Sequence, residues 1–313
     1  MSLPVVIRGG GDLASGVALR LYRSGLRPLV TELPQPLVVR RRVAFAEAIY
    51  DGLVQVEGVT GRRVESLEQA QAAVLRDEIP VLADPDGAAL EQLVQAGRGR
   101  LAWAAAAPVG SGMHAGVFST AGLADLPAVP APAGAVPALA VVDARMTKRP
   151  PEPLDLASIF LVGLGPGFTA GLDCQAVVET NRGHALGRVI WRGMTEPDTG
   201  VPELVGGRSS ERVLRAPADG GLQALAEIGA RVEAGQVLAQ VAGREVVAPF
   251  GGVLRGLVRS GLPVARGMKI GDVDPRGDPQ ACFLVSDKAL AVGGAVLEAL
   301  LSRPEVRRAL WTA

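Results

Sequence analysis

Cysteine and histidine are nearly missing from this chain, with two of each in 313 residues. Two thiols, Cys174 and Cys282, build neither a disulfide framework nor a cysteine-rich zinc module, and His114 and His184 leave no histidine-rich site, so no metal centre is expected. Aromatic residues make up 4%, too few for a base-stacking platform. The 32 basic and 32 acidic residues cancel, which removes the electrostatic footprint of a dedicated nucleic-acid binder. No apolar run reaches the ~20 residues that a membrane helix needs. The opening MSLPVVIRGGG enters a strand pattern directly, without the charged start and apolar stretch of a signal peptide. A cytoplasmic protein with no nucleic-acid and no membrane partner is the expectation. Lysine is scarce as well: Lys148, Lys269 and Lys288 are the only three, every other basic residue being arginine. Enrichment in arginine and alanine more often follows a GC-rich coding sequence than a function.

Hydrophobic residues make up 48% of the chain, and its length favours two domains. Short apolar runs at 5–7, 29–33, 53–57, 79–84, 140–143 and 159–162 alternate with helical patterns. Those patterns include 13–22, a helix-like stretch at 40–50, a helix at 67–75 capped by Ser66, and one opening at 87–93. Continuous Val/Ile/Leu strands separated by helices indicate a parallel sheet covered on both faces. The expected fold class is α/β: a Rossmann-like, doubly wound domain over residues 1–185, interrupted by an Ala/Pro-rich insertion at 97–138. Near its end, strands at 175–180 and 187–191 flank the hairpin signal Asn181-Arg182-Gly183-His184.

Residues 186–275 form a β-rich second domain with an internal repeat. At an offset of 32, Ala216-Pro217 recurs as Ala248-Pro249, Gly220 as Gly252, Leu222 as Leu254 and Leu225 as Leu257. Gly229, Val232, Gly235 and Val241 recur as Gly261, Val264, Gly267 and Val273. Two units that cannot bury an apolar face alone can do so together. The pattern resembles the barrel-sandwich fold of biotinyl and lipoyl domains, whose modified lysine sits on the hairpin between the halves. The corresponding Val241–Val246 stretch has no lysine, so a swinging arm is not expected and a docking or structural module is. Residues 276–313 read as a strand at 282–285 and a helix at 288–301 capped by Ser286-Asp287.

Three segments could carry chemistry. Gly9, Gly10, Gly11, Asp12 and Gly16 lie between a strand and a helix, where glycines let a pyrophosphate approach and a helix N-terminus favours its charge. Glu32 falls where a ribose-binding acid is expected, although the spacing departs from G-x-G-x-x-G and Asp12 brings a carboxylate into the turn. A second loop, with Gly163, Gly165, Gly167 and Thr169, leaves another buried strand toward the same crevice. Asp143 and Lys148 follow the strand between the two. The third segment packs Glu179, Asn181, Arg182 and His184 together, with His184 as a candidate acid–base. Cys174, beside the second loop, is a candidate thiolate or a sulfur or selenium carrier. For each, a plain turn or a buried thiol is the competing reading.

Taken together, VIRGGGDLASGVALRLYRSG, RRRVAFAEAIYDG, VGLGPGFTAG, VVETNRGHALGRVI, KIGDVDPR and CFLVSDKALAVGGAVLEAL resemble the YqeB family. That family accompanies selenium-dependent molybdenum hydroxylases and is related in role to the XdhC/CoxF maturation factors. The resemblance covers nearly the whole chain outside the insertion. It implies an accessory factor that helps mature or insert the cofactor of a molybdenum hydroxylase client, with a nucleotide or a molybdopterin dinucleotide as the small-molecule partner. The two glycine loops would contact that ligand, and the segment with Glu179, Asn181, Arg182 and His184 would line or close the site. An NAD(P)-dependent oxidoreductase and a non-catalytic scaffold stay open as alternatives, whether the chain catalyses a reaction is left open, and a homo-oligomer is compatible with the sequence.

Overall fold

The computed structural model describes residues 3–97, 137–198, 200 and 207–310. His114 and nearly all of the 97–138 insertion lie outside these residues.

A nine-stranded sheet runs in the order β10-β9-β7-β6-β1-β2-β5-β4-β3. Its parallel centre comprises β1 (Val5–Arg8), β2 (Pro28–Glu32), β4 (Val59–Val64), β5 (Ile79–Ala83), β6 (Leu139–Asp143), β7 (Ile159–Leu164) and β9 (Ala176–Val178). Antiparallel edges are added by β3 (Leu53–Val56) and β10 (Val189–Ile190). Alternation along each strand divides the core. Val5, Ile7, Val30 and Val142 face α1 (Asp12–Arg23), α5 (Asp287–Leu301) and α6 (Pro304–Leu310), whereas Val6, Leu29 and Val141 face α3 (Leu67–Leu75) and α4 (Ala88–Gly97). This is the mixed α/β architecture that the run of apolar strands predicts.

Three local expectations need correction. The stretch 40–50 is no continuous helix: 3-10 turns at Arg41–Val43 and Phe45–Glu47 lead into a short α2 (Ala48–Asp51), broken by extended Ala44. Tertiary bonds override the helical spacing here, because the Phe45 amide donates to Ser15 Oγ and the Ala46 amide to the Gly10 carbonyl. The run 53–57 has an unforeseen mate in β4, joined through Glu57 and Gly58, both at positive φ, the geometry of a tight hairpin turn. No strand forms at 282–285. Gln280–Cys282 is a 3-10 turn, the carbonyls of Ala281 and Leu284 accept from Arg40 Nη2, and the Val285 amide donates to Glu57. With those groups engaged, a ladder has little left to bond.

The 32-residue repeat is plain in the second unit. One sheet runs β12-β19-β17-β14 and the other β16-β15-β13-β18. The strands are β12 (Val213–Arg215), β13 (Gly220–Ala224), β14 (Arg231–Val232), β15 (Val237–Val241), β16 (Arg244–Val247), β17 (Gly252–Leu257), β18 (Pro263–Val264) and β19 (Lys269–Asp274). Exchanging each strand for its repeat mate turns one order into the other. The bond from Gly229 N to Leu254 O has its counterpart from Gly261 N to Leu222 O, and Gly235 N to Ala248 O is matched by Gly267 N to Ala216 O. All four glycines sit at positive φ, which is why glycine itself recurs at these positions.

Two short strands, β8 (Thr169–Ala170) and β11 (Gly193–Met194), pair with each other, and β10 pairs with β9. Residues 189–194 therefore stay with the α/β sheet rather than with the β-rich unit. The C-terminal helices also return to that sheet. A Cβ on Gly16 would stand 2.6 Å from the Ala289 carbonyl, and one on Gly293 2.6 Å from the Gly16 carbonyl. The order of these contacts makes α1 and α5 parallel neighbours, with both N-termini at the same end.

Candidate functional site

The β1 strand has β2 on one side and β6 on the other, so chain direction across the sheet reverses there. In open α/β sheets ligands bind at the strand carboxyl ends beside such a reversal. An open crevice of about 1400 Å³ occupies that position, walled on its far side by the β-rich unit. Among the described residues, eleven basic and seven acidic ones line it, although the whole chain is neutral. All three lysines, Lys148, Lys269 and Lys288, are among them. Beside the charged residues, Leu33, Leu37 and Leu284 line the same crevice and remain exposed, giving it an apolar wall as well.

The first glycine loop is built differently from a dinucleotide loop. Glu32 Oε2 accepts from the Gly10 amide and Oε1 from the Leu33 amide, both at 2.7 Å. The carboxylate closes the loop, and the Gly10 amide is already engaged. Gly10 itself makes room for Ala46, whose amide nitrogen a Cβ would meet at 2.9 Å, and Gly16 makes room for α5. Gly9, at φ +97°, turns the chain beside Ala144. Only Gly11, of these four, has open space where a side chain would be. Gly9, Gly11, Asp12 and Glu32 line the crevice.

The second loop is packed on itself. A Cβ on Gly163 would run into the Phe168 ring, one on Gly165 would meet the Thr180 hydroxyl at 2.5 Å, and one on Gly167 the Arg149 carbonyl at 2.6 Å. These glycines admit protein neighbours. The Thr169 amide donates to Asp173, no helix begins at the loop, and Pro166 is the residue it contributes to the crevice lining.

Between the loops, Asp143 is 2% exposed and accepts from both Arg8 and Arg145. It positions arginines rather than facing a ligand. Arg145 also grips Glu152, whose carboxyl it pulls down to about 2. Met146 and Lys148 both adopt positive φ, 54° and 59°, a conformation uncommon for such side chains and concentrated at functional positions. Lys148 Nζ lies 2.9 Å from Asp198 across the crevice mouth.

The third segment divides. Glu179 is 1% exposed and accepts from the amides of Asn181 and Glu196, so it fixes a turn. Asn181 and Arg182 reach the crevice, Arg182 through a two-pronged bond to Asp287 at 2.6 and 2.8 Å. That bond holds the Asp287 carboxyl well below the ordinary carboxylate range. His184 is exposed and outside the lining. Cys174 is fully buried in the core on the α3/α4 face, where burial pushes its thiol up, away from the thiolate a carrier needs. The nucleophile and acid–base roles read from the sequence therefore find no geometric support: neither side chain opens on the crevice. Among the described residues, no group of three or more His, Cys, Asp or Glu side chains is placed to hold a metal ion, and no helix is long and apolar enough to cross a membrane.

Several lining residues were absent from the sequence-derived set: Arg40, Arg212, Arg255, Lys269 and Lys288. Arg40 is 7% exposed. Burial, and next the Arg255 guanidinium, pull its pKa down from the usual arginine value. The scarcity of lysine is the one signal in the sequence for two of the five, Lys269 and Lys288.

No family model matches this chain, and no solved structure matches it. It is 42% identical over 298 residues to the uncharacterized protein YqeB of Escherichia coli strain K12, a match covering 95% of this chain and 47% of that protein. The chain thus spans about half the length of this relative.

Proposed function

We propose that this chain is a member of the YqeB family and an accessory factor for a molybdenum hydroxylase, binding a nucleotide or a molybdopterin-dinucleotide-like ligand in the crevice. In this reading the α/β unit is Rossmann-like and the repeat unit is a barrel-sandwich-like module that docks the client enzyme. The observation that carries it is the composition of the crevice: a neutral, arginine-dominated chain places all its lysines there, beside exposed leucines. A ligand with an anionic end and a flat heterocycle suits both walls. The phosphates of a pterin dinucleotide fit the cationic lining, and its ring system fits the leucines.

The engagement of both Glu32 oxygens with loop amides weighs against the NAD(P) oxidoreductase alternative, because the ribose-binding acid of that reading is committed to its own loop. Native mass spectrometry of the purified chain with NAD, NADPH, ATP, CTP and molybdopterin dinucleotide tests the proposal. Selective retention of the pterin dinucleotide or CTP is the expected result. Retention of NAD or NADPH overturns it in favour of a dehydrogenase, and retention of nothing leaves a scaffold.

A further inference from the structure

Where the two units meet the segment leading into α5, the crevice is lined by Arg40, a buried residue that acts as a hub. Its Nη2 holds the carbonyls of Ala281 and Leu284, and its Nη1 lies 3.7 Å from Asp12 at the start of α1. Its Nε and Nη1, together with Nε of Arg255, have no hydrogen-bond partner among the described residues. Unpaired donors on a buried guanidinium are costly. The charges around it do not balance either. Arg212 binds Asp272 at 2.9 Å, Arg255 shares Asp272 and Asp274 at 3.6 and 3.8 Å, and Arg276 takes Asp274 at 2.6 Å. With Arg40 and Asp12 included, four guanidinium groups meet three carboxylates among the described residues.

At the rim the imbalance continues. Lys269 and Arg215 are directly opposed across β19 and β12, and both line the crevice. Like charges directly opposite one another on a sheet destabilise it. A surplus of cations, one of them buried with unpaired donors, all facing one cavity, is the arrangement that a multiply charged anion completes.

We infer that this part of the crevice, formed by Arg40, Arg212 and Arg255 with Lys269 and Arg215 at its edge, is the subsite for a pyrophosphate group, so that the ligand's phosphates are held by the junction with the β-rich unit rather than by the glycine loops. The inference rests on the crevice being the ligand site of the proposed function, and it is independent of the organic part of the ligand. The loops agree with this assignment: the first closes on Glu32 and the second on its own neighbours. An anion at the junction contacts both units at once and ties them together.

Inorganic pyrophosphate is the probe, with binding to the full chain measured by isothermal titration calorimetry. One site per chain is expected, weakened at least tenfold in Arg255→Gln and in Lys269→Met, and unchanged in Arg266→Gln, an exposed arginine of the same unit outside the crevice. Lys269 is exposed on its strand, so its variant remains decisive if Arg255→Gln does not fold. Amine-selective acetylation adds a second readout, since the lysines all line the crevice: pyrophosphate is expected to protect Lys269. No binding, an affinity in both variants equal to that of the parent chain, or undiminished acetylation of Lys269 overturns the assignment. Cytidine retained as well as CDP also overturns it while leaving the proposed function standing. Pyrophosphate binding that depends on Arg255 and Lys269, with no nucleotide or pterin ligand retained, supports the subsite and removes the proposed function.

Discussion

Two adjacent glycines of α5 are expected to respond to the same substitution with opposite signs. A methyl group on Gly294 meets nothing within 4 Å, whereas one on Gly293 would stand 2.6 Å from the Gly16 carbonyl and 2.8 Å from Arg20 Cγ. Both positions lie within the fifteen-residue helix Asp287–Leu301, so both gain about 1 kcal/mol of helix propensity on Gly→Ala. That gain cancels in the difference between the variants, leaving the steric term. Overpacking a well-filled contact costs about 1–3 kcal/mol. The upper half applies here, because the nearest obstacle is backbone and no rotamer change removes it. Gly294→Ala is therefore expected to be more stable than the parent by up to about 1 kcal/mol, and Gly293→Ala less stable by about 1–2 kcal/mol. Thermal unfolding followed by circular dichroism should separate their midpoints by roughly 4–12 °C. Hydrogen exchange adds a local readout: amides of α1 and α5 should lose protection in Gly293→Ala alone. Equal midpoints would refute the close parallel packing of α1 on α5, and with it the placement of Lys288 at the crevice.

Three further outcomes follow from the structure. Glu152, held at about 2 by hydrogen bonds from Arg145 that outweigh its burial, should stay ionised through the range in which ordinary glutamates protonate. Because its folded pKa is lowered, its contribution is present above the normal carboxylate value and is lost as pH falls toward about 2. A carboxyl carbon titration with a midpoint near 4 would contradict the pairing. The Cys174 and Cys282 thiols, both buried and pushed up by burial, should not react with a chromogenic disulfide until the protein is unfolded; rapid reaction of native Cys174 would revive the carrier role. Gln175→Leu removes the side-chain acceptor of the Leu161 amide and the donor to the Leu156 and Ile159 carbonyls. It should cost about 1–3 kcal/mol, read as a lower urea midpoint, and an unchanged midpoint would refute that bonding.

Legibility of the sequence depended on whether a pattern was enforced by local physics. The repeat was readable because Gly229, Gly235, Gly261 and Gly267 occupy positive-φ turns, where other residues are strained. The sheet strands were readable because burial on both faces demands continuous Val, Ile and Leu. β4 was missed because Val59–Val64 carries Gly61 and two arginines, Gly61 being there to clear the Phe45 ring. The 40–50 and 282–285 segments were misread because side chains distant in sequence, Ser15, Arg40 and Glu57, take their backbone groups.

The glycine loops teach the converse. A glycine after a strand reports that something comes close, and sequence does not say whether it is a ligand or another part of the chain. In this protein it is Ala46, Ala289, Phe168, Thr180 and Arg149 that approach. The cations of the crevice gave no local pattern, since Arg40, Arg212, Arg255 and Lys288 come from elements far apart in the chain and meet only once the β-rich unit and α5 have returned to the sheet. Their one trace in the sequence was compositional. Against a background that writes nearly every positive charge as arginine, lysine persists at three positions, and folding brings all three to one cavity. An ammonium group is a compact, rotatable point charge, whereas a guanidinium is a planar fork. At the proposed pyrophosphate subsite, the forks of Arg40, Arg212 and Arg255 would supply directed donors and Lys269 a rotatable charge.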